Sequence, residues 1–415
     1  MSELKVISRH AGTVLVGQLA VMAFGVADTV IAGRYSDEAL AALSVGSALY
    51  VSVYVGLIGI VQALLPIWSE MLGARRHEAV GASLRQSMYL CGFIVAAGMA
   101  AMLFPGPLLR WAQVPELMRD EVQHYLAVLA FAFAPSLLFR IYSTFNQSLG
   151  KPLLVTWLQV GALGVKIPLS IWLVVGGAGV EPMGAVGCAW ATLVVNYLLL
   201  ALALLMLRTR PMYLPYRIWE RMERPDWSQI GNFARLGIPG GLAYLVEVTS
   251  FTLMALFIAR LGTVASASHQ IASSVAAVLY MMPLSMAIAC SARVSFWMGA
   301  GRPDYARRVV LLGLKLTGLA ALTLGGFVAM AGPLLARWYS GSPEIIALAS
   351  SLLVWVAFYH VADATQALTA FLLRCYRITI MPLALYGVLL WGLGLLGGYR
   401  PVSYTHLTLP TKRIV

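Results

Sequence analysis

The chain has 415 residues, of which 60% are hydrophobic and only 11% charged, and its formal net charge is +12. A soluble domain carries about 25% charged residues, so there are too few polar side chains here to cover a water-facing surface. A soluble enzyme or binding module is excluded, and no basic domain or nucleic-acid fold signature accompanies the excess of Lys and Arg.

Apolar runs long enough to cross about 30 Å of hydrocarbon recur along the chain. The first follows Lys5 and Arg9, as in a signal peptide, but extends from about Ala11 to Ile31 without a small-residue cleavage site. It reads as a membrane helix. Hydropathy predicts eleven spans, over 10–33, 43–68, 85–106, 121–145, 153–175, 183–207, 235–259, 268–293, 311–332, 345–371 and 378–398. The polar stretch RTRPMYLPYRIWERMERPDW separates the sixth from the seventh. The expected organisation is an N-terminal lobe over 1–207, a cytoplasmic linker over 208–234, a C-terminal lobe over 235–398 and a tail over 399–415.

Basic residues set the orientation. With the N-terminus inside, inner segments hold Arg75, Arg76, Arg208, Arg210, Arg302, Arg307, Arg374, Arg377 and most others, whereas outer segments hold only Arg34, Arg110, Arg119, Arg260 and Arg337. The positive-inside rule therefore predicts a cytoplasmic N-terminus. One constant offset carries Arg34 onto Arg260, Gly73 onto Gly299, Arg76 onto Arg302, and Gly106-Pro107-Leu108-Leu109 onto Gly332-Pro333-Leu334-Leu335. The halves are thus repeats. Six spans lie between equivalent points, so both insert in the same direction, related by a pseudo-two-fold axis along the membrane normal. The expected fold is an all-α integral membrane protein of two six-helix lobes, with about eleven helices present. The expectation is that a twelfth is missing, since the closing RPVSYTHLTLPTKRIV is polar, short and unlike a membrane helix, the alternative being a short periplasmic tail. The loops GARRHEA and GAGRPDYA share a G-x-x-R spacing and read as inner-face connections without a site role.

An ionisable group at the bilayer centre costs about 2.5–3.5 kcal/mol on insertion scales, so those present usually line a cavity. Four fall inside the predicted spans: Asp28, Lys166, Glu247 and Asp363. Glu247 lies near the middle of span seven, with Tyr244 three residues before it and Ser250 three after, giving one polar face. Asp363 has Tyr359 at i−4, His360 at i−3 and Gln366 at i+3. A carboxyl flanked by a tyrosine and an amide can hold a proton, or coordinate Na⁺ once ionised. It can also serve as interhelical glue. Asp28 either faces a cavity or is an interfacial residue near Arg34. Lys166 lies about midway along span five, roughly 14–20 Å from either end, beyond the reach of a snorkelling side chain. It needs a carboxylate partner or a wet cavity, and Asp28 in the same half is the expected partner.

Soluble-enzyme signatures are missing. There is no Walker A motif, GxSxG or HExxH, and no paired His/Cys spacing. Cys91, Cys188, Cys290 and Cys375 lie far apart and read as small core residues, with no metal or disulfide framework. The expectation is no enzyme and no cofactor, with energy drawn from an ion gradient.

The segments GQLAVMAFGVADTVIAGRYSDEALAALSVGSALY, LVEVTSFTLMALFIARLGTVASASHQIASSVAAVLYMMPLSMAIACSARV and DATQALTAFLLRCYR occur in that order. Together they resemble the multidrug and toxic compound extrusion family in its NorM-like branch, over nearly everything before residue 400. The resemblance implies twelve helices in two lobes that export cationic or amphipathic drugs in exchange for Na⁺ or H⁺. It implies a cavity role for Asp28, in proton or substrate binding in the first lobe, and a cation site formed by Glu247 and Asp363 with Tyr359, to which Na⁺ could bind. Lys166 departs from the pattern, since relatives more often show Asn or another uncharged or acidic residue there. Expected partners are small cationic substrates and membrane lipid, with no nucleic acid, and the expected protein is a monomer of the bacterial inner membrane. Flippases of lipid-linked sugars are the alternative. They line their cavities with basic residues, whereas this chain offers carboxylates and Lys166.

Overall fold

A computed structural model describes residues 2–111, 116–177 and 179–397; the expected tail over 399–415 lies outside them. The described residues are helical almost throughout. In chain order the helices are α1 (Glu3–Tyr35), α2 (Asp37–Gln62), α3 (Leu64–Gly73), α4 (His77–Leu103), α5 (Gly106–Trp111), α6 (Glu116–Ser148), α7 (Leu153–Val175) and α8 (Gly184–Thr209). A 3₁₀ turn over Pro211–Tyr216 follows, then α9 (Trp227–Ala259), α10 (Thr263–Gly299), α11 (Pro303–Tyr339), α12 (Pro343–Cys375) and α13 (Ile380–Tyr386). From Gly387 to Leu396 the last helix winds wider, with π-type turns.

Ten helices among the described residues are long and apolar enough to cross a membrane, with α2 and α3 acting as one span broken at Ala63. Within the described residues, the last of the eleven predicted spans corresponds to an apolar helix over Ile380–Leu395. Large apolar side chains such as Met330, Trp355 and Phe358 stand exposed, as lipid-facing surfaces require. The backbone satisfies itself within each helix, which a hydrocarbon solvent demands.

Helix ends follow local chemistry. The Ser36 hydroxyl accepts the amide of Ala39 at 3.0 Å and caps α2, where Asp37 and Glu38 complement the dipole. After α3, Arg75 takes a left-handed conformation and the Arg76 amide donates to the carbonyl of Met71 at 3.0 Å. After α10, Gly301 takes the same conformation and the Arg302 amide donates to Trp297 at 2.9 Å. These are equivalent positions of the two repeats, closed by one and the same Schellman cap. At these two loops the sequence repeat is also a repeat of backbone structure.

By packing, the chain forms two compact units. The first holds the described residues up to Gly241 together with Ile288–Val309; the second holds Leu242–Ala287 and the described residues from Val310 onward. The core of the first is centred on Trp68, Phe133, Leu137 and Phe145, with the Trp68 indole donating to Ser83 at 3.0 Å. In the second unit, Val275, Leu279, Val328 and Leu353 form a smaller cluster.

Within the first unit α3 and the end of α10 cross at their glycines. A Cβ on Gly73 would lie 1.8 Å from the carbonyl oxygen of Phe296, and one on Gly299 would lie 1.8 Å from that of Glu70. Phe296 and Glu70 are themselves repeat equivalents, so the crossing is reciprocal. Backbone oxygen cannot swing away as a side chain can. Gly73→Ala or Gly299→Ala is therefore expected to destabilise by about 1–3 kcal/mol, as overpacking does, read as a lower melting temperature in detergent micelles.

The polar linker is clamped onto α4. Arg85 forks onto Glu223, Nε donating to Oε2 at 2.8 Å and Nη2 to Oε1, while Nη1 donates to the Arg217 carbonyl at 2.5 Å. Gln86 donates to the Arg224 carbonyl at 3.0 Å and accepts the Asp226 amide at 2.9 Å. Asp226 in turn caps α9 through the amides of Ser228 and Gln229. The hydrogen bonds from Arg85 hold the Glu223 carboxyl below its ordinary range. A depressed folded value makes the clamp's contribution complete at neutral pH and lost as pH falls through that value. Amide hydrogen exchange over 217–226 should accelerate only in acid below the usual carboxylate range, and Glu223→Gln should accelerate it at neutral pH.

Candidate functional site

Two groups of intramembrane charges stand out, one in each unit. In the first, α1 carries Asp28, α7 carries Lys166 and Ser170, and α8 carries Cys188 and Thr192. All three helices pack together. Lys166 is 1% exposed and Asp28 8% exposed, and Lys166 Nζ stands 2.9 Å from Asp28 Oδ1. The ammonium also donates to the Cys188 carbonyl at 3.0 Å and to Thr192 Oγ1 at 2.8 Å. The Ser170 hydroxyl, one turn after Lys166, donates to Asp28 Oδ1 at 3.0 Å. The structure brings together the two residues that the sequence paired, and places Asp28 inside the unit, away from the interfacial position that the sequence left open. An ammonium has three hydrogens, and here each has an acceptor. Burial of a pair is tolerable only with such complete hydrogen bonding.

In the second unit Asp363 is buried on α12, and the hydroxyl of the half-exposed Tyr359, one turn earlier, donates to its Oδ1 at 3.2 Å. Glu247 is half-buried on α9. The charged groups within electrostatic reach of it are Asp363 and Arg374. Tyr280 on α10 lies within electrostatic reach of both carboxylates, and Tyr386 on α13 within reach of Glu247. The final helix is tied to α9 at this level, its Trp391 indole donating to the Val246 carbonyl at 3.2 Å. Ser250 is turned inward along its own helix, its hydroxyl donating to Val246 at 2.6 Å.

Arg374 was not among the expected site residues. It reads in the sequence as an inner-face residue at the end of a span, yet it is 6% exposed, with its guanidinium 4.6 Å from the Phe371 ring centre and 5.5 Å from that of Tyr244. Nothing in LLRCYR distinguishes an arginine that folds back over aromatic rings from one that faces water. The first unit also holds a small recess of about 10 Å³, lined by Gln18, Arg140, Gln147 and Gln159 among others. Single amides scattered through apolar runs do not announce such a recess.

The second group gathers two carboxylates and phenolic hydroxyls, with the Arg374 guanidinium nearby. Hard cations take oxygen ligands of this kind, and a carboxylate pair can equally take up protons. Among the described residues no group of three or more His, Cys, Asp or Glu side chains is arranged to hold a metal ion.

The MatE family profile matches residues 14–172 and 239–399, one stretch in each repeat. The chain is 38% identical over 391 residues to the "Probable multidrug resistance protein NorM" of Aromatoleum aromaticum, covering 94% of this chain and 84% of that protein. It is 30% identical to the "Multidrug resistance protein PmpM" of Pseudomonas aeruginosa, covering 96% of this chain and 84% of that one. Among solved structures, the Vibrio cholerae MATE transporter VcmN in its bent form aligns with a TM-score of 0.82 at 17% identity, over 98% of this chain and 96% of that chain. At that identity the likeness is one of fold.

Proposed function

The chain belongs to the MatE family, a family of transporters and not of enzymes, and from that membership we propose a secondary antiporter that exports cationic or amphipathic drugs in exchange for Na⁺ or H⁺. Multidrug efflux by a multi-pass membrane protein follows from the relatives and the ten apolar helices. The finer reading is that Glu247 and Asp363 bind the coupling cation, assisted by Tyr359. The lobes over 1–207 and 235–398 are its halves, the linker over 208–234 is cytoplasmic, and the protein is a monomer of the bacterial inner membrane with its N-terminus inside. No cofactor takes part.

One observation carries this reading: a buried aspartate held by a neutral phenol, within the electrostatic field of a second carboxylate in the same unit. Two carboxylates near one another favour the uptake of positive charge, whether proton or metal cation. If drug and ion compete for these carboxylates in one conformation, binding of the ion from outside releases the drug, and differential affinity for the two states drives the cycle.

Ethidium efflux from cells, followed while the ion gradient is collapsed, tests the reading. Efflux that stops with the gradient supports it; efflux that continues without a gradient overturns it. Absence of efflux despite good membrane expression would turn the reading to a lipid-linked sugar flippase. Tyr359→Phe should impair the site without abolishing it. One hydrogen bond to a charged acceptor is worth about 1.5–3 kcal/mol, so the apparent affinity should change by about ten- to a hundredfold, falling for Na⁺, which loses an oxygen ligand, and rising for H⁺, which no longer competes with the phenol. Titration of efflux against Na⁺ and against pH would show it.

A further inference from the structure

The Asp28–Lys166 pair has a feature that Asp363 lacks: the group that meets its carboxylate is a cation covalently part of the chain. Lys166 Nζ is surrounded by Asp28 Oδ1, the Cys188 carbonyl oxygen and Thr192 Oγ1, all within 3.0 Å. The oxygen that binds the ammonium also accepts the Ser170 hydroxyl. Among the described residues, Tyr125 of α6 and Cys188 of α8 lie within electrostatic reach of Asp28, and each is neutral in its ordinary state. The charge of the cluster therefore closes on the pair alone. In the second unit Asp363 is met by a phenol, and the nearby guanidinium of Arg374 lies over aromatic rings with its Nη1 unpartnered.

We propose that Lys166 is a tethered cation filling the cation position of the first unit, so that Asp28 exchanges no ion and coupling is left to Glu247 and Asp363. The inference rests on the reading above, that a cation exchanges at intramembrane carboxylates, and adds where it does not. A free ion leaves when its ligands rearrange. A lysine cannot leave, and any second cation entering at Asp28 would strand a buried ammonium. The pair thus acts as a permanently occupied site. Its work is to hold α1, α7 and α8 in register, and the transport cycle exchanges its ion elsewhere.

The test is ethidium transport by the purified protein in proteoliposomes under an imposed ion gradient. Asp28→Asn alone should lose activity by about tenfold or more, because it leaves the ammonium buried and unpaired. The double variant Asp28→Asn/Lys166→Met removes both charges and should return to within about threefold of wild type, the non-additivity expected of directly coupled residues. A double variant as inactive as the single one, at normal abundance and melting temperature, would overturn the proposal. Lys166→Met alone gives a second reading. It frees Asp28 to bind an exchangeable ion, so the Hill slope of transport against the coupling ion should rise from about one towards two. A slope unchanged from wild type would also overturn it. Glu247→Gln serves as the separate check: if it leaves transport intact, the coupling reading falls, while the single-versus-double comparison still decides the role of Lys166.

Discussion

Glu247→Gln and Asp363→Asn should each reduce gradient-driven ethidium efflux to background, a loss of about a hundredfold or more, while leaving the protein in the membrane at normal abundance. The amides preserve the size of the carboxyl groups and much of their hydrogen bonding. After Asp363→Asn the amide oxygen could still accept the Tyr359 hydroxyl, which in the wild type donates to Asp363 at 3.2 Å. What the amides cannot do is carry a negative charge, and so they can neither release a proton nor hold Na⁺. A neutral amide also costs less in hydrocarbon than an ionised carboxyl, for which insertion penalties reach about 2.5–3.5 kcal/mol. Function should therefore fall without loss of stability. The measurement is efflux rate normalised to membrane abundance, together with the melting temperature in micelles. Wild-type efflux from either variant would remove that residue from the coupling site.

Asp28→Asn should behave in the opposite way, lowering stability strongly. The ammonium it leaves behind is on a residue only 1% exposed, and breaking one side of a buried pair costs about 3–5 kcal/mol. The Cys188 carbonyl and Thr192 hydroxyl still solvate Lys166, but neither carries charge. Removing the lysine as well should restore most of the loss, since apolar replacement of a buried pair is often neutral. Melting temperatures of the wild type, the single variant and Asp28→Asn/Lys166→Met would show a deep drop followed by recovery. A single variant as stable as wild type would mean that the ammonium finds water or another acceptor in the folded protein.

The contrast between these two expectations reflects how much of the molecule is written along the chain. Transfer of a side chain into hydrocarbon is nearly additive over some twenty neighbours, so a run such as 153–175 declares itself as a span from composition alone, and the structure begins and ends α7 at Leu153 and Val175. Orientation and repeats are equally linear properties, and the matched caps at Arg75 and Gly301 carry the repeat into backbone geometry. Asp28, Lys166, Glu247 and Asp363 were legible because a charge in an apolar run is costly and therefore conspicuous.

Their surroundings were not legible. The break at Ala63, the reciprocal crossing of Gly73 and Gly299, the inward fold of Arg374 and the partners of Lys166 all depend on which helix faces belong together. Ser170 reaches Asp28 across a separation of 142 residues, and Thr192 reaches Lys166 across 26. No pattern of hydropathy encodes such pairs, because hydropathy records only what each segment gains by leaving water. Once every segment is already in lipid, that gain no longer distinguishes one neighbour from another. Close packing and the pairing of polar groups then choose the partners, and those are properties of the assembled helices alone.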